Sequence, residues 1–205
     1  MPAALRPLYE TTPAWRSEWL EVDGGHSLHV QQFGAPDGLP VLVLHGGPGS
    51  GCSPLLPRFC DPRRYRIVCP DQRGAGQSRP SGEVAHNTTA FLLADLRTLR
   101  AHLQIARWLV VGGSWGATLA LAHAADAPEA VAGLLLRSSF LARAQDIAAF
   151  FDGAAHGRPQ AWPRTTPWLR RRACRCRGIC TAGSAAPTPP SAPPRRRSGG
   201  AGSSD

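Results

Sequence analysis

The sequence feature that most constrains this chain is a serine set between glycines, Gly112-Gly113-Ser114-Trp115-Gly116. It follows an apolar run, Trp108 to Val111, and precedes a helical pattern that ends at Ala125. A G-x-S-x-G sequence between a buried strand and a helix is typical of a nucleophile elbow. The glycines at 112 and 116 are expected because side chains there would collide in so tight a turn. An ordinary glycine-rich turn is the alternative, and the pentapeptide alone does not exclude it.

A second glycine-rich turn, His45-Gly46-Gly47-Pro48-Gly49, follows the apolar run Val41 to Leu44. The continuous apolar run predicts a strand covered on both faces. In enzymes with a serine elbow, the loop after the third strand supplies one oxyanion-hole amide, often from a His-Gly-Gly sequence. Proline has no amide hydrogen, so Gly46 or Gly47 would supply it, and Trp115 would supply the other. Two such turns in the expected order favour the elbow over coincidence.

A third loop, Asp71 to Ser78, follows the predicted strand Tyr65 to Cys69. Its glycines do not match a phosphate-binding pattern. We interpret it as structural, with Asp71 and Arg73 pairing with local backbone and holding the loop near the elbow. A direct catalytic role for Asp71 is the less favoured alternative, because the usual chain order is serine, then acid, then histidine.

Helical and strand patterns alternate along the chain, which predicts an α/β fold with a mostly parallel sheet and flanking helices. Apolar residues spaced three and four apart predict an amphipathic helix over Thr88 to Leu103. Ser53 to Cys60 and Ala144 to Gly153 are predicted to be shorter helices, and Val131 to Leu136 a buried strand. Ligands in such folds bind at the carboxyl ends of the strands, where the three loops fall.

The charge of +9 is concentrated at one end of the 205 residues. Residues 1–156 hold 13 Arg and 13 acidic residues, whereas residues 157–205 hold 10 Arg and a single acid, Asp205. The second segment is rich in Arg, Pro, Ala and Gly and lacks apolar periodicity, so we predict that it is disordered. We interpret it as a GC-rich gene read out of frame or truncated. Nucleic-acid contacts through Arg170-Arg171-Arg172 and Arg195-Arg196-Arg197 are the alternative, which we consider the weaker one.

Cysteine usage and hydropathy indicate the cellular compartment of the protein. Cys52, Cys60 and Cys69 lie in or beside apolar segments and are expected to be small buried hydrophobes. Cys174, Cys176 and Cys180 do not have standard zinc spacing, so no metal site is predicted. No apolar run is long enough to span a membrane, and the N-terminus lacks the apolar core of a secretory signal. We therefore expect a cytoplasmic protein with no metal, no cofactor and no membrane partner.

Four ordered motifs together resemble bacterial prolyl aminopeptidase (proline iminopeptidase), a serine peptidase with the α/β-hydrolase fold. They are the His45 loop, the Asp71 loop, Asn87-Thr88-Thr89 and the elbow, and the similarity runs over about residues 8–155. The resemblance implies release of N-terminal proline from a peptide by acyl transfer, with Ser114 as nucleophile and no cofactor. It also implies a helical cap, inserted after the sixth strand, that holds the α-amino group of the substrate.

The chain departs from that family after residue 156. The family supplies its catalytic Asp and His further along, and we expect both to be absent from this chain. His123, on the helix after the elbow, and His156, at the start of the tail, match neither position. The expected organisation is a lead-in over 1–17, the N-terminal part of an incomplete α/β-hydrolase domain over 18–143, the start of a cap over 144–156, and the tail.

Alternative functions remain. A related α/β-hydrolase, such as an esterase acting on a different acyl group, would use the same elbow. A non-catalytic fragment that binds nucleic acid through its Arg-rich tail is a second alternative. An epoxide hydrolase or dehalogenase is disfavoured because those enzymes carry a carboxylate at the elbow, where this chain has Ser114. We also expect the 205-residue chain alone to be poorly folded and nearly inactive.

Overall fold

The structure is a computed structural model and describes residues 7–10 and 12–147. Within them, six strands form one sheet in the order β1-β2-β4-β3-β5-β6. The strand β2 pairs antiparallel with β1 and β4, and the remaining neighbours are parallel. The strands are β1 (Arg16–Val22), β2 (His26–Gly34), β3 (Leu39–Leu44), β4 (Tyr65–Pro70), β5 (Trp108–Gly113) and β6 (Val131–Arg137).

Two α-helices cross between the parallel strands, α1 (Thr89–His102) after β4 and α2 (Trp115–Asp126) after β5. Short 3-10 turns lie at Asp23–Gly25, Pro57–Phe59 and Pro128–Ala130. This arrangement confirms the predicted α/β fold with a mostly parallel sheet. The carboxyl ends of β3, β4 and β5 lead directly into the loops that begin at His45, Asp71 and Ser114.

The alternation of side chains along the strands divides the core between the two faces of the sheet. Leu42 and Leu44 point to the face covered by both helices, and their cluster includes Leu96 and Leu119. Val41 and Val43 point to the opposite face, where the second cluster contains Cys60, Ile67, Cys69 and Val111. Residues 41–44 are all at most 1% exposed, which confirms a strand covered on both faces.

The predicted helix over Ser53 to Cys60 is wrong, because only the 3-10 turn Pro57–Phe59 forms there. Pro57 has no N–H to donate to residue 53, and Cys60 at the end of the turn is extended. The first strand begins at Arg16 and is paired with β2 along its whole length.

The chain beyond β6 is described only as far as Ile147. Residues 144–147 form one helical turn, in which the N–H groups of Asp146 and Ile147 donate to the Arg143 carbonyl. The remainder of the predicted helix to Gly153, the predicted cap segment beyond Ile147, His156 and the Arg-rich tail lie outside the described residues.

The last strand, β6, is an edge of the sheet in the described part of the chain. Leu134 and Leu135 are 38% and 54% exposed, so apolar side chains on both faces of this strand meet solvent. The prediction of a strand over residues 131–136 is correct, but it is less buried than its composition indicates. Exposed apolar edges of this kind favour association between chains.

Candidate active site

The elbow turn joins β5 to α2 within a single residue. Ser114 has φ 54° and ψ −121°, a conformation that L-residues rarely adopt, and Trp115 begins the helix immediately afterwards. A backbone strained in this way is maintained only where its surroundings fix it. Here the N–H of Ser114 donates to the Arg137 carbonyl at 3.0 Å, which ties the elbow to the end of β6.

The two glycines of the pentapeptide are required by close backbone approaches. A Cβ on Gly112 would overlap the carbonyl oxygen of Gly116 on the first turn of α2. A Cβ on Gly116 would overlap the Leu44 carbonyl and lie 2.9 Å from the His45 carbonyl at the end of β3. The sequence reasoning identified a collision between the two arms of the turn. It did not identify the second obstacle, which belongs to the neighbouring strand.

The glycine turn after β3 lies directly against the elbow. A Cβ on Gly46 would be 3.0 Å from the Gly113 carbonyl oxygen and 3.4 Å from the Ser114 Cβ. Gly47 has φ +118°, which is accessible to glycine. Within residues 12–147, no protein atom accepts a hydrogen bond from the N–H groups of Gly46, Gly47 or Trp115. The two glycine turns that the sequence singled out therefore meet, and they leave backbone donors unpaired beside the serine.

His45 is almost completely buried, and its ring holds the glycine turn against the third loop. Its Nε2 accepts a hydrogen bond from the Gln72 N–H at 2.9 Å, and its Nδ1 lies 2.9 Å from the Gly46 carbonyl. This pattern requires the neutral ring with its proton on Nδ1. Burial lowers the pKa of His45 below 6.5, outweighing the hydrogen bond to Gly46 and the charge of Asp71. His45 is thus occupied as a connector between loops.

Gln72 completes a buried chain of hydrogen bonds that runs through all three loops. Its Nε2 donates to the His45 carbonyl at 2.9 Å, and its Oε1 accepts from the Trp115 Nε1 at 2.9 Å. The side chain of Trp115, the residue after the serine, is therefore fixed to the third loop. Sequence reasoning missed Gln72, because nothing in the local pattern of a glycine-rich loop indicates partners 27 and 43 residues away.

Asp71 binds the loops around it. Its Oδ1 accepts from the Cys52 N–H at 2.6 Å and its Oδ2 from the Gln77 N–H at 2.9 Å. The His29 Nδ1 lies 3.3 Å from the same Oδ2, and a Cβ on Gly76 would overlap the carboxylate. These contacts support the structural interpretation of Asp71, and they reach further along the chain than the predicted local backbone pairing.

Arg73 has a completely buried side chain that connects three elements. Its Nε and Nη2 donate to both carboxylate oxygens of Asp95 on α1, each at 2.6 Å. Its Nη1 donates to the carbonyls of Asp23 and His86 at 2.9 and 3.1 Å, and its Nη2 also pairs with the Asp23 carboxylate. Arg73 was predicted to hold the loop by pairing with local backbone. In the structure its partners include residues on α1 and in the β1–β2 turn.

The Ser114 hydroxyl has no hydrogen-bond partner among residues 7–10 and 12–147. His123 is fully buried and lies far from it: its Nε2 accepts from the Trp108 Nε1 at 3.0 Å, at the opposite end of β5. Burial lowers the pKa of His123 below 6.5. His123 therefore does not reach Ser114, as expected from the sequence, because six strand residues separate Trp108 from the elbow by about 20 Å.

The described residues contain neither a metal-binding cluster nor a membrane-spanning helix. They contain no cluster of three or more His, Cys, Asp or Glu side chains arranged to hold a metal ion. None of their helices combines the length and the hydropathy that a membrane span requires. Their three cysteines, Cys52, Cys60 and Cys69, are free thiols, and burial raises the pKa of Cys60 to about 11.

Comparison with known proteins identifies the architecture. A family model described as the alpha/beta hydrolase fold matches residues 40–173. The chain is 48% identical over 161 residues to the proline iminopeptidase of Xylella fastidiosa (strain 9a5c), an alignment covering 78% of this chain and 51% of that protein. It is 49% identical over 158 residues to a proline iminopeptidase of Arabidopsis thaliana, covering 77% of this chain and 42% of that protein. The chain spans about half the length of the curated relatives it matches.

Solved structures agree on the fold. A proline iminopeptidase-related protein from Thermus thermophilus is 31% identical with a TM-score of 0.50, covering 59% of this chain and 44% of that one. An epoxide hydrolase mutant from Vigna radiata is 27% identical with a TM-score of 0.54, covering 66% of this chain and 44% of that one. The structural likeness thus extends to enzymes of different chemistry.

Proposed function

Because the chain belongs to the α/β-hydrolase family, we propose that it carries the nucleophile half of a serine aminopeptidase that releases N-terminal proline from peptides. The observation that supports this most is the contact between the elbow and the glycine turn after β3. There the strained Ser114 lies beside backbone N–H groups of Gly46, Gly47 and Trp115 that have no acceptor within residues 7–10 and 12–147. The proline specificity is supported by the similarity to several proline iminopeptidases.

The proposed chemistry is acyl transfer in two steps. A base takes the Ser114 proton while the Oγ attacks the carbonyl carbon of the N-terminal residue, and the carbonyl oxygen becomes an oxyanion. The N–H of Trp115 and that of Gly46 or Gly47 donate to this oxyanion. The positive end of α2, which begins at Trp115, adds to the stabilisation. The leaving amine takes the proton, and water then releases proline from the serine ester.

The general base is not among the described residues that surround the elbow. Both nitrogens of His45 are occupied by Gln72 and Gly46, and His123 is bonded to Trp108. We propose that the catalytic Asp and His belong to a part of the protein without counterpart in this chain, and that the 205-residue chain alone is nearly inactive. Loss of the histidine removes most of the effect of a triad.

The other residues of the three loops are proposed to hold the loops in place rather than to contact the substrate. His45 and Gln72 fix the glycine turn and the Trp115 side chain, while Asp71 and Arg73 fix the third loop. Gly112 and Gly116 permit the backbone to close around the serine. No metal or cofactor takes part in the proposed reaction. We place it in the cytoplasm, which the free thiols of the described cysteines support.

The proposed function can be tested with a chimera in which residues 1–147 of this chain replace the matching part of the Xylella fastidiosa relative. Hydrolysis of the 4-nitroanilides of proline and alanine and of 4-nitrophenyl acetate is measured for the chimera and for its Ser114→Ala variant. We expect proline anilide to be the best substrate by kcat/KM, and Ser114→Ala to lower kcat by at least about 10⁴-fold.

Other outcomes distinguish the alternatives. Preference for the ester over both anilides would favour an esterase. Full activity of the Ser114→Ala chimera would remove the serine from the mechanism. The nucleic-acid alternative predicts salt-dependent retention of the 205-residue chain on DNA that is lost when residues 157–205 are deleted.

A further inference from the structure

A second serine, outside the elbow, forms a hydrogen-bonded chain with a histidine and a carboxylate. The Ser17 Oγ lies 2.9 Å from the Nε2 of His29, and the Nδ1 of His29 lies 3.3 Å from the Oδ2 of Asp71. The three residues come from β1, β2 and the loop after β4. A hydroxyl, an imidazole and a carboxylate connected in this order form the arrangement that activates nucleophiles in serine hydrolases.

The fold fixes this arrangement through the backbone of the β1–β2 hairpin. Trp19 is the register partner of His29, so Ser17, two residues earlier, lies on the same face of the hairpin. The N–H of Asp71 donates to the His29 carbonyl at 2.8 Å, and the N–H of His29 donates to the Ser78 Oγ at 2.9 Å. The imidazole is therefore positioned from both sides.

The partners of His29 select one tautomer. The Asp71 carboxylate already accepts two backbone N–H groups and can only accept a third hydrogen bond, so the Nδ1 of His29 carries the proton. The Nε2 then has a free lone pair, and the Ser17 hydroxyl donates to it. This is the protonation state of a general base that is ready to take the serine proton.

The serine is accessible although its base is not. His29 is 3% exposed, whereas Ser17 is exposed at the surface. Trp19, 47% exposed, has its ring 5.2 Å from the His29 ring and 5.0 Å from the guanidinium of Arg79. An exposed indole against the His29 ring offers a flat apolar surface on which an aromatic ester can stack.

We propose that Ser17 is a second nucleophile of this chain, acylated by aryl esters with His29 as the general base and Asp71 as its positioning residue. With 4-nitrophenyl acetate, the Ser17 O–H proton passes to the His29 Nε2 while the Oγ bonds to the acetyl carbon. The bond from that carbon to the nitrophenyl oxygen breaks, and 4-nitrophenolate leaves with the electron pair. The products are acetyl-Ser17, 4-nitrophenolate and a proton, which His29 returns to solvent.

Ser17 lacks the strained turn and the helix N-terminus that Ser114 has. The site is therefore expected to be acylated once per chain and to release acetate slowly, since oxyanion stabilisation is a large part of turnover. Acylation without turnover distinguishes the Ser17 site from the elbow, whose proposed reaction requires residues outside this chain.

The test uses the chimera of residues 1–147 with the Xylella fastidiosa relative, carrying Ser114→Ala, which removes the elbow serine. We expect a burst of 4-nitrophenolate of up to one equivalent, with acetyl located on Ser17 by peptide mass spectrometry. Ser17→Ala in this background should abolish the burst, whereas Ser27→Ala, on the same hairpin, should leave it unchanged. Because Ser17 is exposed, its replacement does not threaten folding.

His29→Gln distinguishes base catalysis from mere exposure. Glutamine keeps hydrogen-bonding groups for Ser17 and Asp71 but cannot take a proton, so the acylation rate should fall about 100-fold. The pH dependence of the acylation rate is measured for the parent and the variant, and the two profiles should differ because only the imidazole can take up the serine proton. A burst that survives Ser17→Ala, acetyl on other residues only, or an unchanged pH profile without His29 would overturn the proposal.

Discussion

Gly116 and Gly113 lie on either side of Ser114 but face different obstacles. A Cβ on Gly116 would meet the backbone carbonyls of Leu44 and His45, whereas a Cβ on Gly113 would meet only the guanidinium of Arg137 at 3.2 Å. Gly116→Ala should therefore lower the free energy of unfolding by about 3 kcal/mol, because the backbone must shift. Gly113→Ala should change it by no more than about 0.5 kcal/mol, because a long side chain can move aside.

Urea denaturation of the two variants measures this difference directly. The pair is matched in sequence position and in the added methyl group, so only the local environment separates them. Equal unfolding free energies for both variants would contradict the close approach of the elbow to β3.

Two buried histidines predict that the protein loses stability in acid. Burial lowers the pKa of His45 and of His123 below the ordinary value of 6.5, so the folded state resists protons that the unfolded chain accepts. Their contribution is complete above pH 6.5 and is lost as the pH falls towards the folded pKa values, with a slope of about 1.4 kcal/mol per pH unit for each proton. His123→Gln, which can still accept from Trp108, should reduce the loss between pH 7 and pH 5 by about 1 kcal/mol.

Thermal or urea unfolding at several pH values between 5 and 7 checks this expectation. The relevant quantity is the slope of unfolding free energy against pH, since the variant also changes packing at all pH values. Parallel pH profiles for the parent chain and His123→Gln would show that His123 takes up no proton on unfolding.

Residue identities around the elbow were predictable where the constraint is local. Gly112, Ser114 and Gly116 lie in one turn, and their spacing alone indicates it. The partners of His45 and Trp115 were not predictable, because Gln72 reaches both only after two strands have paired. The same holds for Ser17 and His29, which the hairpin register brings together.

Arg73 is the contact by which the third loop, α1 and the β1–β2 turn depend on one another. Its side chain is fully buried and bidentate to Asp95, which is itself 3% exposed. Arg73→Met leaves that carboxylate buried without its partner and should destabilise the protein by about 3–5 kcal/mol. Arg97→Met removes the ion pair to Asp126 from the same helix at the surface, and should cost no more than about 1 kcal/mol.

The comparison is made by denaturant unfolding of both variants, with circular dichroism to confirm that each is folded. If Arg73→Met proved as mild as Arg97→Met, the loop would not depend on the buried pair.

Strands and long helices were predicted more reliably than short helices. The apolar runs over β3 and β5 and the periodic pattern over α1 are long enough to identify each element. The segment 53–60 is too short for its pattern to identify a helix. Its two prolines limit the backbone hydrogen bonds, and the segment forms a turn instead. The β1–β2 turn, Asp23-Gly24-Gly25, is of the kind that local sequence specifies, because both of its glycines have positive φ.

In the part of the chain that the structure describes, β6 leaves an apolar edge that predicts self-association. Leu135→Lys places a charge on this edge and should reduce concentration-dependent association of the 205-residue chain, because charged residues oppose edge pairing. Leu39→Lys serves as the control: Leu39 is 59% exposed but begins the internal strand β3. Sedimentation velocity over a range of concentrations measures the effect, and equal association of both variants would contradict a role for the edge.

The parallel core and the position of the three loops followed from the sequence, since alternating strands and helices permit few topologies. The boundaries of the cap segment and the origin of the Arg-rich tail stay predictions. Translation of the coding DNA beyond codon 150 in all three frames tests the tail. A frame that restores a cap, an Asp and a His would support the out-of-frame interpretation.

We propose that Ser114, held at the elbow, is the residue to which a proline-derived acyl group attaches. The most direct measurement is mass spectrometry of the chimera after reaction with a diphenyl phosphonate analogue of proline. We expect one adduct on Ser114, absent from the Ser114→Ala chimera and accompanied by loss of proline anilide hydrolysis. An adduct at another residue, or hydrolysis that continues with Ser114 fully modified, would contradict it.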